Sequence, residues 1–115
     1  MHEMSIAMSI AEAASEEALK QGGAKVCAVY LRLGELSGVM KEALLFSWDA
    51  SCEGTDLAGA QLVIEDVPVI VFCETCGADR RLKSIQLFVC PECGAPVSRV
   101  LGGKDMEVTA LELEE

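Results

Sequence analysis

Apolar residues at the start of the chain recur with helical spacing. Over residues 4–20, Ile6, Ile10, Ala13 and Ala14 fall on one face, and Glu12 and Glu16 fall off it. Gly22-Gly23 ends this helix. The period then changes to two between Lys25 and Leu33, with Cys27, Val29, Leu31 and Leu33 on one side and Tyr30 and Arg32 on the other. That pattern predicts a half-buried strand. Gly34-Glu35-Leu36-Ser37-Gly38 reads as a turn, with Ser37 as the cap of a second helix over Lys41–Glu53. This helix offers Ala43, Leu44, Leu45, Trp48 and Cys52 to a core, and Gly54-Thr55 ends it. A strand follows from Gln61 to Val67, with Leu62 and Ile64 facing one way, and Pro68 interrupts it. Val69–Phe72 leads into a cysteine-rich segment, Gly102-Gly103 makes a hinge, and Glu107–Glu114 alternates again as a last strand.

Two strands make a poor sheet alone, so the last strand is expected to return and join them. The fold class is α+β: a small domain of two helices and a three-stranded sheet, with an inserted zinc-ribbon-like module. Residues 1–70 plus 103–115 form the first part and residues 71–102 the second.

Charge narrows the partners. The net charge is −10 in 115 residues, with −7 over residues 1–70, +1 over 71–102 and −4 over 103–115. An acidic body repels phosphate backbones, so nucleic acid is not expected as a partner. It suits metal cations or a basic protein surface. Met1-His2-Glu3-Met4 has no basic segment, and Glu12, Glu16 and Glu17 interrupt the apolar run. That is neither a signal peptide nor a membrane span, and the chain reads as cytoplasmic. In a reducing compartment its six cysteines are read as ligands or core residues, not disulfides.

Cys73-Glu74-Thr75-Cys76-Gly77 and Cys90-Pro91-Glu92-Cys93-Gly94 repeat one knuckle. Two thiolates three positions apart grip one ion from a tight turn, and the glycine lets the chain bend back. The interval between the pairs is close to that of zinc ribbons. Four thiolates close a tetrahedral shell, which points to structural zinc and not to catalysis. Rubredoxin-like iron is the rival, but this segment has only Phe72 and Phe88 as flanking aromatics. Arg80, Arg81 and Lys83 are placed to offset the negative centre, or to form a solvated turn. Cys27 and Cys52 fall on apolar faces and read as small core residues.

His2 is the one histidine in the chain. A bulky second residue ordinarily preserves the initiator methionine, leaving Met1-His2-Glu3 at the start. The Met1 amine, the deprotonated His2 amide and the His2 imidazole can close adjacent chelate rings. Such square-planar nitrogen coordination favours Ni(II) or Cu(II) over Zn(II), and an oxygen or amide of Glu3 can complete it.

Met1-His2-Glu3-Met4-Ser5, Leu33-Gly34-Glu35-Leu36-Ser37-Gly38, Glu53-Gly54-Thr55 and the two CxxCG knuckles stand here in one order. Together they resemble the HypA family of nickel-insertion proteins in [NiFe]-hydrogenase maturation, over essentially the whole chain. The resemblance implies a nickel metallochaperone that is not an enzyme. Ni(II) is its transferred cargo, carried by His2 with backbone nitrogens near Met1 and Glu3. Structural Zn(II) sits on Cys73, Cys76, Cys90 and Cys93. The GTPase accessory factor HypB and the hydrogenase large subunit are the implied partners, and a homodimer is left open. Some family members carry an aspartate near the start of the second helix where this chain has Met40. Glu3, Glu35 and Glu42 are candidates for the acidic ligand, with none preferred. The alternative is a zinc-ribbon interaction module without nickel transfer, which would call for basic surface and aromatic platforms that the sequence lacks.

Overall fold

The computed structural model describes residues 3–114. Its elements are α1 (Glu3–Lys20), β1 (Val26–Gly34), α2 (Lys41–Cys52), β2 (Gln61–Val67), β3 (Ile70–Cys73), β4 (Ala78–Arg81), β5 (Arg99–Gly102) and β6 (Met106–Leu113). The chain divides into two compact units. One holds residues 1–32, 39–65 and 107–115, and the other holds residues 33–38 and 66–106.

In the first unit the sheet runs β2-β1-β6, so the last strand does return to join the other two. The central strand β1 is its most buried member, with Val29 and Leu31 fully enclosed. Helices α1 and α2 pack together, and Leu44, Trp48 and Cys52 of α2 join Val29, Leu31 and Leu62 in one core cluster. The Trp48 indole cannot be buried without a partner for its N–H, and Nε1 donates to the Ala60 carbonyl at 2.9 Å. The buried face of α1 is almost all alanine: Ala7, Ala11, Ala14 and Ala18, with Ile10. Small side chains there leave room for the larger residues of α2. The expected face differs at one position, because Ala13 is exposed. At about 100° per residue it lies roughly 130° from the centre of the 7-11-14-18 stripe. Ile6 projects only about 20° from Ala13, yet it packs half-buried against the core.

The start of α2 also departs from expectation. Met40, not Ser37, occupies the N-cap, and its own side chain makes no cap hydrogen bond. A carboxylate from the other helix binds the N-cap backbone: Glu3 Oε2 accepts from the Met40 N–H at 3.1 Å. This satisfies a donor at a helix start and ties the first turn of α1 to α2.

The second unit has its own antiparallel sheet, β4-β3-β5. The β3/β4 hairpin pairs Ile70 with Arg81 and Cys73 with Ala78, and a register irregularity lies between Ile70 and Val71 opposite β5. Its small core is Val69, Val71, Cys73, Leu82, Cys90 and Val97, with Leu36, Phe88 and Val100 packed on it. Leu36 arrives through backbone pairing: Leu36 N–H donates to Gly103 O at 2.8 Å and Gly34 N–H to Asp105 O at 2.9 Å. Gly103 has φ +92°, and a Cβ there would stand 2.5 Å from the Pro68 carbonyl oxygen. Gly103→Ala therefore combines a disfavoured backbone with a clash against main chain. It is expected to destabilise this unit by about 3 kcal/mol, read as an earlier urea midpoint for its amides.

Candidate metal centre

The second unit brings its two knuckles face to face. Cys73 ends β3, and the chain turns through Cys76 so that Gly77 N–H donates to Cys73 O at 2.8 Å before β4 begins. The other knuckle repeats this, with Gly94 N–H donating to Cys90 O at 2.8 Å. Gly77 has φ +66° and Gly94 φ +76°, conformations in which a side chain is strained, so glycine is required after each second cysteine. Cys90 N–H to Ala95 O at 2.8 Å and the Val89–Pro96 bridge close the second turn.

The four sulfurs of Cys73, Cys76, Cys90 and Cys93 all lie within 4.8 Å of one another. Cys73 Sγ is 3.6 Å from Cys93 Sγ, and Cys76 Sγ is 3.9 Å from Cys90 Sγ. Zn–S bonds of about 2.3 Å in a tetrahedron put sulfurs about 3.8 Å apart, so the donor set fits a metal such as zinc. Cys73 and Cys90 are buried, and Cys76 and Cys93 are exposed. The Cys76 N–H points at Cys73 Sγ from 3.4 Å, a donor oriented towards thiolate charge.

Crowding makes the thiols unequal. Burial opposes the Cys90 thiolate, but the backbone N–H groups of Cys93 and Glu92, with the Cys93 and Cys73 thiols, bring its pKa down to about 6. Cys93 is favoured as thiolate by the Ala95 backbone, yet the desolvation of its sulfur among the clustered thiols and hydrogen bonding to Cys73, Cys76 and Cys90 push it up to about 12. Four thiolates at this spacing need a cation to coexist. Arg80 supplies part of the compensating charge from β4: hydrogen bonding to Cys76 and then Cys90 raises its pKa. Arg81 and Lys83 are exposed. Among the described residues, this is the grouping of His, Cys, Asp and Glu side chains that can hold a metal ion. Cys27 is half-buried and Cys52 buried, and burial first, then Asp49 and Asp56, pushes the Cys52 thiol up to about 11. A thiol so disfavoured as thiolate is a poor ligand.

Met1 and His2 lie outside the described residues. Glu3 is half-buried, with its carboxylate on the Met40 N–H. Glu42 is exposed in the first turn of α2, and Glu35 is exposed in the second unit. Sequence reasoning missed the Glu3–Met40 link, since nothing in local periodicity pairs residues thirty-seven positions apart.

A family model described as hydrogenase/urease nickel incorporation, metallochaperone, hypA, matches residues 1–113. Curated relatives named hydrogenase maturation factor HypA include one from Roseiflexus sp. (strain RS-1), 50% identical over 100% of this chain and 94% of that protein. Another, from Chloroflexus aggregans, is 48% identical over 97% of this chain and 98% of its own length. The solution structure of the Ni metallochaperone HypA from Helicobacter pylori superposes with a TM-score of 0.65 at 26% identity. It covers 98% of this chain and 97% of that one.

Proposed function

This chain belongs to the HypA family of nickel-incorporation metallochaperones for hydrogenase maturation, and we propose that it binds Ni(II) at its N-terminus and hands it to a maturing [NiFe]-hydrogenase. The observation that carries this reading is a division of labour within one chain. The tetrathiolate set has a complete shell, with no position left for cargo. The chain's one histidine is not part of the CxxCG motifs; it comes at position 2 of the sequence, immediately before the first residue of α1.

The proposed nickel donors are the Met1 amine, the His2 amide and imidazole, and an amide or oxygen of Glu3. The Glu3 carboxylate supports that arrangement by anchoring the start of α1 to the Met40 N–H. Zn(II) on Cys73, Cys76, Cys90 and Cys93 supplies a structural cross-link between the two knuckles. Nickel is thus assigned to the α/β part and zinc to the module around residues 71–102. The protein acts as a transfer factor, not a catalyst, and works in the cytoplasm with the GTPase accessory factor HypB and the hydrogenase large subunit. Hydrogenase is preferred over urease as the target because the curated relatives carry that role in their names. No helix among the described residues is long and apolar enough to cross a membrane.

The test is the pH dependence of nickel binding. The proposed complex needs a neutral imidazole, a free amine and an ionised amide, so protons leave as metal enters. An imidazole ordinarily titrates near pH ~6.5, so affinity should fall steeply as pH drops through that range. Competition titrations between about pH 5 and 8 check this. A flat profile would assign the metal to carboxylates and overturn the site.

A further inference from the structure

Helix α1 carries a second stripe that shares only Ala11 with its core face. Met8, Ala11, Ser15 and Leu19 follow one another at spacings of three or four residues down the helix. Met8 is 57% exposed and Leu19 70% exposed, although both are large and apolar. Opposite them stand Ser51 near the end of α2 and Thr55, Asp56 and Leu57 in the turn that follows. The two walls enclose a groove of about 300 Å³. Its floor is buried Ala11 and Leu57, and Ser15 Oγ donates to Asp56 Oδ2 at 2.7 Å, pinning the walls together.

The rim is acidic. Glu12 and Glu16 border the α1 side and Asp56 the other, and all three are exposed. None of the four basic residues of this unit lines the groove, and the unit as a whole carries thirteen acidic residues against those four. We propose that this groove docks an amphipathic helix of a partner protein, with apolar anchors at i, i+3 or i+4 and i+7 flanked by lysine or arginine. Met8 to Leu19 spans about 16 Å along α1, room for about three turns of a docked helix. Charge decides the occupant. A second copy would bring α1 and α2, each carrying more than one acidic residue against a single lysine. An anionic lipid surface would be repelled for the same reason. A basic helix gains electrostatic complementarity as well as apolar contact. The inference depends on neither metal site.

The probe is a synthetic Leu/Lys peptide of about four turns with leucines at helical period. Its controls are a same-composition scramble and a Leu/Glu peptide of the same pattern. Each is titrated into the full-length, zinc-loaded protein and followed by amide chemical shifts. The periodic Leu/Lys peptide should bind and perturb Met8, Ala11, Ser15, Leu19 and Leu57. Met8→Ser/Leu19→Ser and, separately, Glu12→Lys/Glu16→Lys should each weaken it by about tenfold or more, with unchanged circular dichroism. All four positions are exposed, so the fold is expected to survive these changes. Equal binding by the scramble or the Leu/Glu peptide would overturn the proposal. So would shifts confined to another face, unchanged affinity in both variants, or no binding at all.

Discussion

Cys76→Ser and Cys93→Ser are each expected to remove stoichiometric zinc and unfold the second unit, while the helices of the first unit keep their circular dichroism. These two positions discriminate best because they are the exposed pair of the cluster. Cys73 and Cys90 also belong to the apolar core of their unit, so their replacement would mix lost packing with lost metal. The core there is six buried residues, two of them cysteines, too few to offset the entropy of ordering some forty-seven residues. Structural zinc contributes about 10–16 kcal/mol of apparent binding free energy in comparable small modules. With zinc on the four thiolates, losing one of them would remove the largest stabilising contribution to the unit. Metal analysis with residue-resolved hydrogen exchange measures both effects. Full zinc occupancy in either variant, or protected second-unit amides without metal, would show that packing suffices.

The second large effect concerns nickel. His2→Ala is expected to lower nickel affinity by at least about 100-fold, since even changes outside the ligand shell of a metal site cost 10–100-fold. Zinc content and thermal unfolding should stay as in the native chain, because the four cysteines and both cores lie elsewhere in the sequence. Nickel titration beside metal analysis separates the two sites. A parallel loss of zinc would mean that the variant had damaged the fold and not a ligand.

The knuckles were fully legible in the sequence. Their geometry is local: Cys73 and Cys76, like Cys90 and Cys93, sit in turns closed by a following glycine, and residue spacing alone encodes that. The two helices and the sheet β2-β1-β6 were legible for a related reason, since the apolar positions along the sequence keep the period of each element, even in β6, where only Leu111 and Leu113 are half-buried. What escaped was held by other means. Strand β4 reads Ala78-Asp79-Arg80-Arg81, with no apolar alternation. It is aligned by the knuckle turn and by pairing with β3, not by a buried stripe. Residues 33–38 read as a turn, but their backbone bonds to Val67, Gly103 and Asp105 are invisible to side-chain periodicity. Ser37 looked like a cap because serine is a good one. Met40 holds that position instead, and the Glu3 carboxylate of a separate helix accepts its N–H. Ala13 was misplaced because an alanine carries too little hydrophobicity to mark which side of a helix is buried.

The central claim is an amine-anchored nickel site, and it is tested most directly by lengthening the chain. Two residues added before Met1 leave His2 in place but turn the terminal amine into an amide, so the chelate rings lose a donor. Calorimetric titration of Ni(II) into the native and the extended protein should show specific binding in the first and its loss in the second, with zinc unchanged in both. If the extended protein binds nickel as tightly as the native one and with the same absorbance spectrum, the N-terminal site is refuted.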